Sequence, residues 1–245
     1  MTRIRYLGVS AFEIVTGEGV RVLVDPYLTG NPLCPIRAEE VEAADLILVT
    51  HGSWDHLGDA VALAKRTGAV LMAGNDVRTH AQRQGLPKGQ ILGTQPGATR
   101  EVKGVRVRAT VAHHTSFFES GEGVFLSGTP LGYVVTTEDG VRIYHAGDTC
   151  LFSDMKLIAE LCRPQVLLVP VDAVLPAAPA EMSPLEAALA TQWIGPDVAV
   201  PMHYYPESKA PEEYARHAAL LAPWCQVLLR PGGFFAYAPG RARFV

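Results

Sequence analysis

The sequence predicts an α/β protein in which two mixed β-sheets pack together under helical outer layers. Three observations carry this. Strand-like and helix-like stretches alternate along the 245 residues, and strands lie at both ends. The second half repeats the plan of the first, with paired strands and then helices alternating with strands. No linker-like stretch interrupts the chain, so residues 1–245 read as a single domain.

Each element has a local reason. Strands over 3–7 and 20–25 are bridged by Glu13-Ile14-Val15 and a Gly-Glu-Gly turn at 17–19. The apolar run Leu46-Ile47-Leu48-Val49 marks a strand over 45–50, followed by a helix over 58–67 and a short strand over 69–73. Asn75 or Asp76 signals the N-cap of a helix over 76–84. Around 100–112, Val105, Val107, Ala109 and Val111 alternate with Arg and Thr, the period of a half-buried strand. Strands over 131–137 and 141–146 flank the hairpin turn Glu138-Asp139-Gly140. A helix over 154–162 leads to a strand over 165–171. Ser183 before Pro184 caps a helix over 184–194, and a strand over 197–202 follows. A last helix starts near Pro211-Glu212-Glu213, and strands near 225–230 and 233–238 complete the reading.

Composition bounds the function. Hydrophobic residues make up 48% and charged residues 19%, which suits a core-rich globular chain. A net charge of −4 and the lack of a Lys/Arg-rich block argue against nucleic acid as a partner. Cys34, Cys150, Cys162 and Cys225 lie far apart with no Cys-x-x-Cys pair, which argues against a disulfide framework or a thiolate zinc knot. The first residues run straight into a strand pattern, and no apolar run approaches the ~20 residues of a membrane span. A cytoplasmic protein with a small-molecule substrate and no membrane partner is expected; a homo-oligomer remains open.

Metal-capable residues collect just past predicted strand ends. His51, Asp55 and His56 follow the strand at 45–50, in Thr-His-Gly-Ser-Trp-Asp-His-Leu-Gly-Asp (50–59). His113 and His114 follow the strand ending at 112. Asp148 follows 141–146, Asp172 follows 165–171 and His203 follows 197–202. One such residue is ordinarily a cap. Several strand exits that all deliver His or Asp point to one site, because these sheets gather their loops at one edge.

At these residues the chain resembles the metallo-β-lactamase superfamily, in the metal-dependent hydrolase branch similar to ascorbate-6-phosphate lactonase. The resemblance rests on Val-Asp-Pro-Tyr-Leu-Thr-Gly-Asn-Pro (24–32), the segment at 50–59, Ala-His-His-Thr-Ser (112–116) and Tyr-His-Ala-Gly-Asp-Thr (144–149). Phe152-Ser-Asp-Met-Lys-Leu-Ile and Val200-Pro-Met-His-Tyr extend it. It implies an αββα sandwich with a metal site at one edge of the sheets. A first site would use His51, residue 53 and His114. A second would use Asp55, His56 and His203, with Asp148 bridging both. It also implies one or two divalent ions (Zn, Mn or Fe) holding a hydroxide that attacks an ester, lactone, amide or phosphodiester.

Ser53 stands where the implied pattern, His-x-His-x-Asp-His, has its second histidine. A serine hydroxyl is a poor substitute for imidazole, so one strongly held ion in the second site is expected, and oxygen-rich coordination tolerates Mn²⁺ or Fe²⁺. Asp55 is expected as ligand and proton shuttle. His51 and His114 are expected as general base or oxyanion contacts if the first site stays empty. Asp25, at a strand end, is placed to accept a hydrogen bond from a ligating imidazole. His145 and Asp172 are candidates to support a ligating side chain or to contact substrate. Strand alternation turns His113 away, Trp54 is expected to pack on the following helix, and His80 and His217 are read as surface residues. Residues 115–130, with glycines among phenylalanines, resemble a lid or a surface loop. Residues 173–182 read as an unusually apolar loop, which argues weakly against a strongly anionic substrate there. The reading is a metal-dependent hydrolase. The rival is a weak or inactive metal- or ligand-binding relative, for which Ser53 is the argument. Nuclease activity is disfavoured by the acidic charge and the lack of an inserted domain.

Overall fold

Apolar runs with no alternation become strands buried on both faces. In the computed structural model, which describes residues 1–173, 180–229, 233–238 and 241–244, every residue of Leu46–Val49 is buried. Leu46 and Leu48 enter the core between two sheets, whereas Ile47 and Val49 face an outer layer with Leu63 and Val77. A strand covered on both faces is what a continuous apolar run requires.

The first sheet contains β1 (Arg3–Gly8), β2 (Ala11–Val15), β3 (Arg21–Val24), β4 (Leu46–Val49), β5 (Val70–Ala73) and β6 (Ile91–Gly93). Antiparallel pairing joins β1 to β3, and parallel pairing joins β3 to β6. Helices α1 (Trp54–Leu57), α2 (Ala60–Thr67) and α3 (Asn75–Arg83) punctuate its parallel half. The second sheet starts with β7 (Thr99–Val102) and β8 (Val105–Val111). A separate hairpin, β9 (Ser116–Glu119) with β10 (Phe125–Gly128), follows. The sheet resumes with β11 (Leu131–Thr136), β12 (Arg142–His145), α4 (Met155–Cys162), β13 (Val166–Pro170), α5 (Pro184–Ile194) and β14 (Val198–Met202). After α6 (Ala210–Leu221), β15 (Gln226–Val227) closes that sheet, while β16 (Phe234–Ala238) and β17 (Arg241–Phe244) return to the first beside β1. Among the described residues both sheets are mixed, so the predicted two-sheet sandwich under helices is what forms.

The sheets meet through Tyr6, Phe12, Ile14 and Val24 on one side and Val107, Tyr133, Ile143 and Leu168 on the other. At the edge where β4 ends, Tyr133 Oη donates to Val49 O at 2.8 Å, and Leu131 N donates to Thr50 O at 3.0 Å. These bonds fix the exit of β4 against β11.

Three local departures have physical reasons. The helix predicted over 58–67 forms as α2, but the short α1 precedes it unpredicted, and Gly58 separates the two, turning the chain at φ 39° with its α-carbon against Tyr27, where a Cβ would meet backbone at 2.5 Å. The helix expected to be capped by Asn75 or Asp76 starts at Asn75, with Gly74 as N-cap. Asp76 is instead held by Ser116 Oγ. The expected loop over 115–130 contains the β9–β10 hairpin, anchored where Ser116 Oγ accepts from Gly52 N at 2.9 Å. Ser183 does form the predicted cap, reciprocated by Glu186, whose Oε2 accepts from Ser183 N at 2.9 Å. Residues 174–179 of the expected apolar loop lie outside the described residues.

Candidate metal centre

The ends of strands from both sheets build the centre. Thr50 and His51 continue β4, and α1 carries Asp55 and His56 one turn later. His114 follows β8, Asp148 follows β12 and His203 follows β14. Residues from 51 to 203 therefore meet at one carboxylate.

Asp148 Oδ2 is the focus. His56 Nε2 lies 2.9 Å from it, His203 Nε2 3.0 Å, His51 Nε2 3.9 Å and His114 Nε2 4.0 Å. His203 Nε2 is also 3.5 Å from Asp55 Oδ2, and His56 Nε2 is 3.9 Å from it. Asp55, His56 and His203 thus form one cluster of ligand atoms, and His51, His56 and Asp148 another. Among the described residues, His51 Nε2 and Asp148 Oδ1 are buried without hydrogen-bond partners. Inward-facing polar atoms left unpaired by the protein demand a partner. Two nitrogen and two oxygen donors from Asp55, His56, Asp148 and His203 suit a divalent cation, so the residues present fit such an ion.

Outer groups set the imidazole orientations. Asp25, fully buried at φ 46°, accepts from Thr50 N and Thr50 Oγ1, both at 2.7 Å, and its Oδ2 lies 2.7 Å from His56 Nδ1. Asp25 thus lies against the imidazole of His56. His203, also in the left-handed region at φ 61°, has Nδ1 2.9 Å from Asp172 O, while its N–H donates to Val9 O at 2.5 Å. Asp172 contributes through this carbonyl; its carboxylate takes hydrogen bonds from Ser208 Oγ and Ala173 N. His51 Nδ1 sits 3.1 Å from Thr50 Oγ1. His145 lies behind the cluster, with Nε2 2.9 Å from Ser10 O and Nδ1 accepting from Gly147 N at 3.2 Å.

The electrostatics follow from burial against mutual charge. Burial, helped by His56, pushes His51 down to about 3. Burial also opposes charge on His203, but the neighbouring Asp148 carboxylate outweighs it and lifts the imidazole to about 10. His56 is raised well above the ordinary histidine value because Asp148, Asp25 and Asp55 together overcome burial. In return, His203 and His56 hold Asp148 well below the carboxylate range despite its burial. His56 and His203 likewise keep Asp55 low.

Ser53 is bonded within its own turn. Its hydroxyl donates to Asp55 Oδ1 at 2.5 Å and so serves the Asp55 side of the centre. Trp54 packs edge-on against Tyr27, with ring centroids 5.2 Å apart, and is exposed rather than laid on a following helix. His113 is exposed and packs on Phe152. His217 pairs with Glu213, but His80 is half-buried, its Nδ1 2.9 Å from Ser120 Oγ. Two neighbours escaped sequence reasoning. Thr50 bonds both Asp25 and an imidazole, yet reads as one more strand residue. Glu181 belongs to the loop read as apolar, and its Oε1 lies 3.8 Å from His114 Nδ1; no motif flags it.

The fold and this convergence of histidines and aspartates define a protein of the metallo-β-lactamase fold. A family model described as "Beta-lactamase superfamily domain" matches residues 20–204. A UPF0173 metal-dependent hydrolase of Methanopyrus kandleri is 45% identical, over 94% of this chain and 97% of the relative. Another, from Methanobrevibacter smithii, is 39% identical over 96% and 97%. The solved structure of Igni18, described as a novel metallo hydrolase from Ignicoccus hospitalis, superposes with a TM-score of 0.80 at 30% identity, covering 100% of this chain and 99% of that one. The chain belongs to the UPF0173 metal-dependent hydrolase family of the β-lactamase superfamily.

Proposed function

We propose that the protein hydrolyses a small ester, lactone or phosphodiester-type substrate, with its strongest metal site formed by Asp55, His56, Asp148 and His203. The observation that carries this reading is the convergence of four imidazole Nε2 atoms on Asp148 Oδ2. A divalent ion bound there supplies activated water at neutral pH and polarises the substrate's carbonyl or phosphoryl oxygen. Zn²⁺, Mn²⁺ and Fe²⁺ all suit two nitrogens and two carboxylates.

The chain's own groups have distinct parts. Asp25 and the Asp172 carbonyl fix the Nδ1 sides of His56 and His203, which leaves each Nε2 pointing inward. Asp55, steadied by Ser53, is placed to ligate and to pass a proton to the leaving group. His51, which burial keeps neutral near pH 7, can contact a developing oxyanion, and its lowered value disfavours it as general base. His114 is partly exposed and stands on the substrate side.

The test is hydrolysis of a lactone and phosphodiester panel by metal-free protein reloaded with Zn²⁺, Mn²⁺ or Fe²⁺, beside Asp148→Asn. Activity that returns with a metal and is lost in the variant is expected. Full activity of D148N would remove the reading. The rival, a weak or inactive binding member, draws on the bond between Ser53 and Asp55. It predicts negligible native turnover that Ser53→His restores.

A further inference from the structure

Ser53 withholds a ligand from the side of the centre built by His51 and His114, and the structure contains a replacement. Glu181 enters from the segment before α5. Its side chain is 8% exposed, close to the 3% of Asp148. One oxygen from each carboxylate and one nitrogen of His114 all lie within 4.8 Å of one another. Two carboxylates held this close and this dry repel each other unless a cation lies between them. Around them His114 Nδ1, His51 Nε2 and Asp148 Oδ1 are buried without hydrogen-bond partners among the described residues. The Ser53 hydroxyl donates its proton to Asp55 instead.

We propose that Glu181 is a metal ligand that compensates for Ser53, completing a second cation site with His51, His114 and Asp148. The set then holds two imidazoles and two carboxylates, the same composition as Asp55, His56, Asp148 and His203 across the shared Asp148. His51 Nε2 lies 3.9 Å from Asp148 Oδ2, and a single His114 nitrogen lies within 4.8 Å of one oxygen of each carboxylate, so small side-chain adjustments bring the donors to bonds of about 2.0–2.2 Å around one ion. This rests on the proposed function above, and extends it from one strongly held ion to two. A hard carboxylate in place of imidazole also shifts this site toward oxygen-preferring cations such as Mn²⁺ relative to a three-histidine site.

The test is metal content and affinity, read without substrate. Metal-free native protein, Glu181→Gln, Ser53→His and the double variant Ser53→His/Glu181→Gln are dialysed to equilibrium against Zn²⁺ and, separately, Mn²⁺, and bound metal is counted by mass spectrometry. Glutamine keeps the size and a hydrogen-bond acceptor but loses the charge. Native protein should hold two equivalents, E181Q one, and the double variant two again, because the restored imidazole supplies the ligand. Circular dichroism shows whether each variant is folded, and rescue in the double variant shows that E181Q lost a ligand and not its fold. Two equivalents in E181Q, with the second weakened by no more than about 10–100-fold, would assign Glu181 to the Nδ1 side of His114 and overturn direct ligation. One equivalent in the native protein, rising to two in Ser53→His alone, would show that Glu181 does not compensate. No bound metal in any form would defeat the proposed function itself, and this proposal with it.

Discussion

Replacing Asp25 by asparagine should impair metal binding by forcing the wrong tautomer on His56. The carboxylate accepts three hydrogen bonds at 2.7 Å, from Thr50 N, Thr50 Oγ1 and His56 Nδ1, and is fully buried. Asparagine can keep its oxygen on Thr50 N only by turning its amide NH₂ toward His56 Nδ1. That nitrogen must then accept, so the proton moves to Nε2, the atom aimed at Asp148. The opposite amide orientation sets two buried donors against each other at Thr50. Loss of an outer partner typically weakens metal affinity about 10–100-fold, or about 1.4–2.7 kcal/mol. The metal-free protein should lose about 1.5–3 kcal/mol, the worth of a hydrogen bond to a charged group. Asp25→Ala, which strands all three donors, should cost about 3–5 kcal/mol. Zinc titration by calorimetry reads the first quantity and urea denaturation the other two. Native zinc affinity in a folded D25N protein would refute the tautomer argument.

Two further outcomes follow from other features. A methyl group at Gly52 would lie 1.9 Å from the Phe118 ring, so Gly52→Ala should cost about 1–3 kcal/mol in urea denaturation. Adding Phe118→Ala should recover most of the loss, and an unperturbed G52A would contradict the seating of the hairpin on the metal loop. The second concerns pH. His203, lifted to about 10, and His56, also raised, carry protons in the metal-free protein at neutral pH. A raised value means that their contribution to metal-free stability is complete below the ordinary histidine value and is lost as pH rises through the folded one. Metal must displace these protons, so zinc affinity should climb with pH through neutrality, with proton release visible in calorimetry across buffers of different ionisation enthalpy. A pH-independent affinity would contradict the assignment.

Legibility in the sequence depended on how local each signal was. The run Leu46–Val49 and the cap Ser183-Pro184 announced their elements because their causes lie within a few residues. His51, Asp55, His56, His114, Asp148 and His203 could be picked out because each lies within a few residues of a strand end. The short helix α1 and the turn at Gly58 that ends it were not, since that turn packs against Tyr27, some thirty residues away. Asp76 looked like a cap because its actual partner, Ser116, belongs to another sheet region. Glu181 escaped for the same reason. An acidic residue in an apolar loop carries no signal until folding sets it beside His114 and Asp148.

The hydrogen bond from His203 N to Val9 O has a consequence for folding. It joins the turn between β1 and β2, at the start of the chain, to a residue two hundred positions later, and both residues sit in the left-handed backbone region at φ 51° and 61°. Such backbone persists only where the surroundings over-determine it. That condition is met only after the two sheets have docked. The Val9 turn and the His203 loop should therefore be among the last segments to acquire protection in hydrogen exchange during refolding. They should also be the first to lose protection when metal is withdrawn, so that vacating the centre loosens the seam between the halves of the molecule.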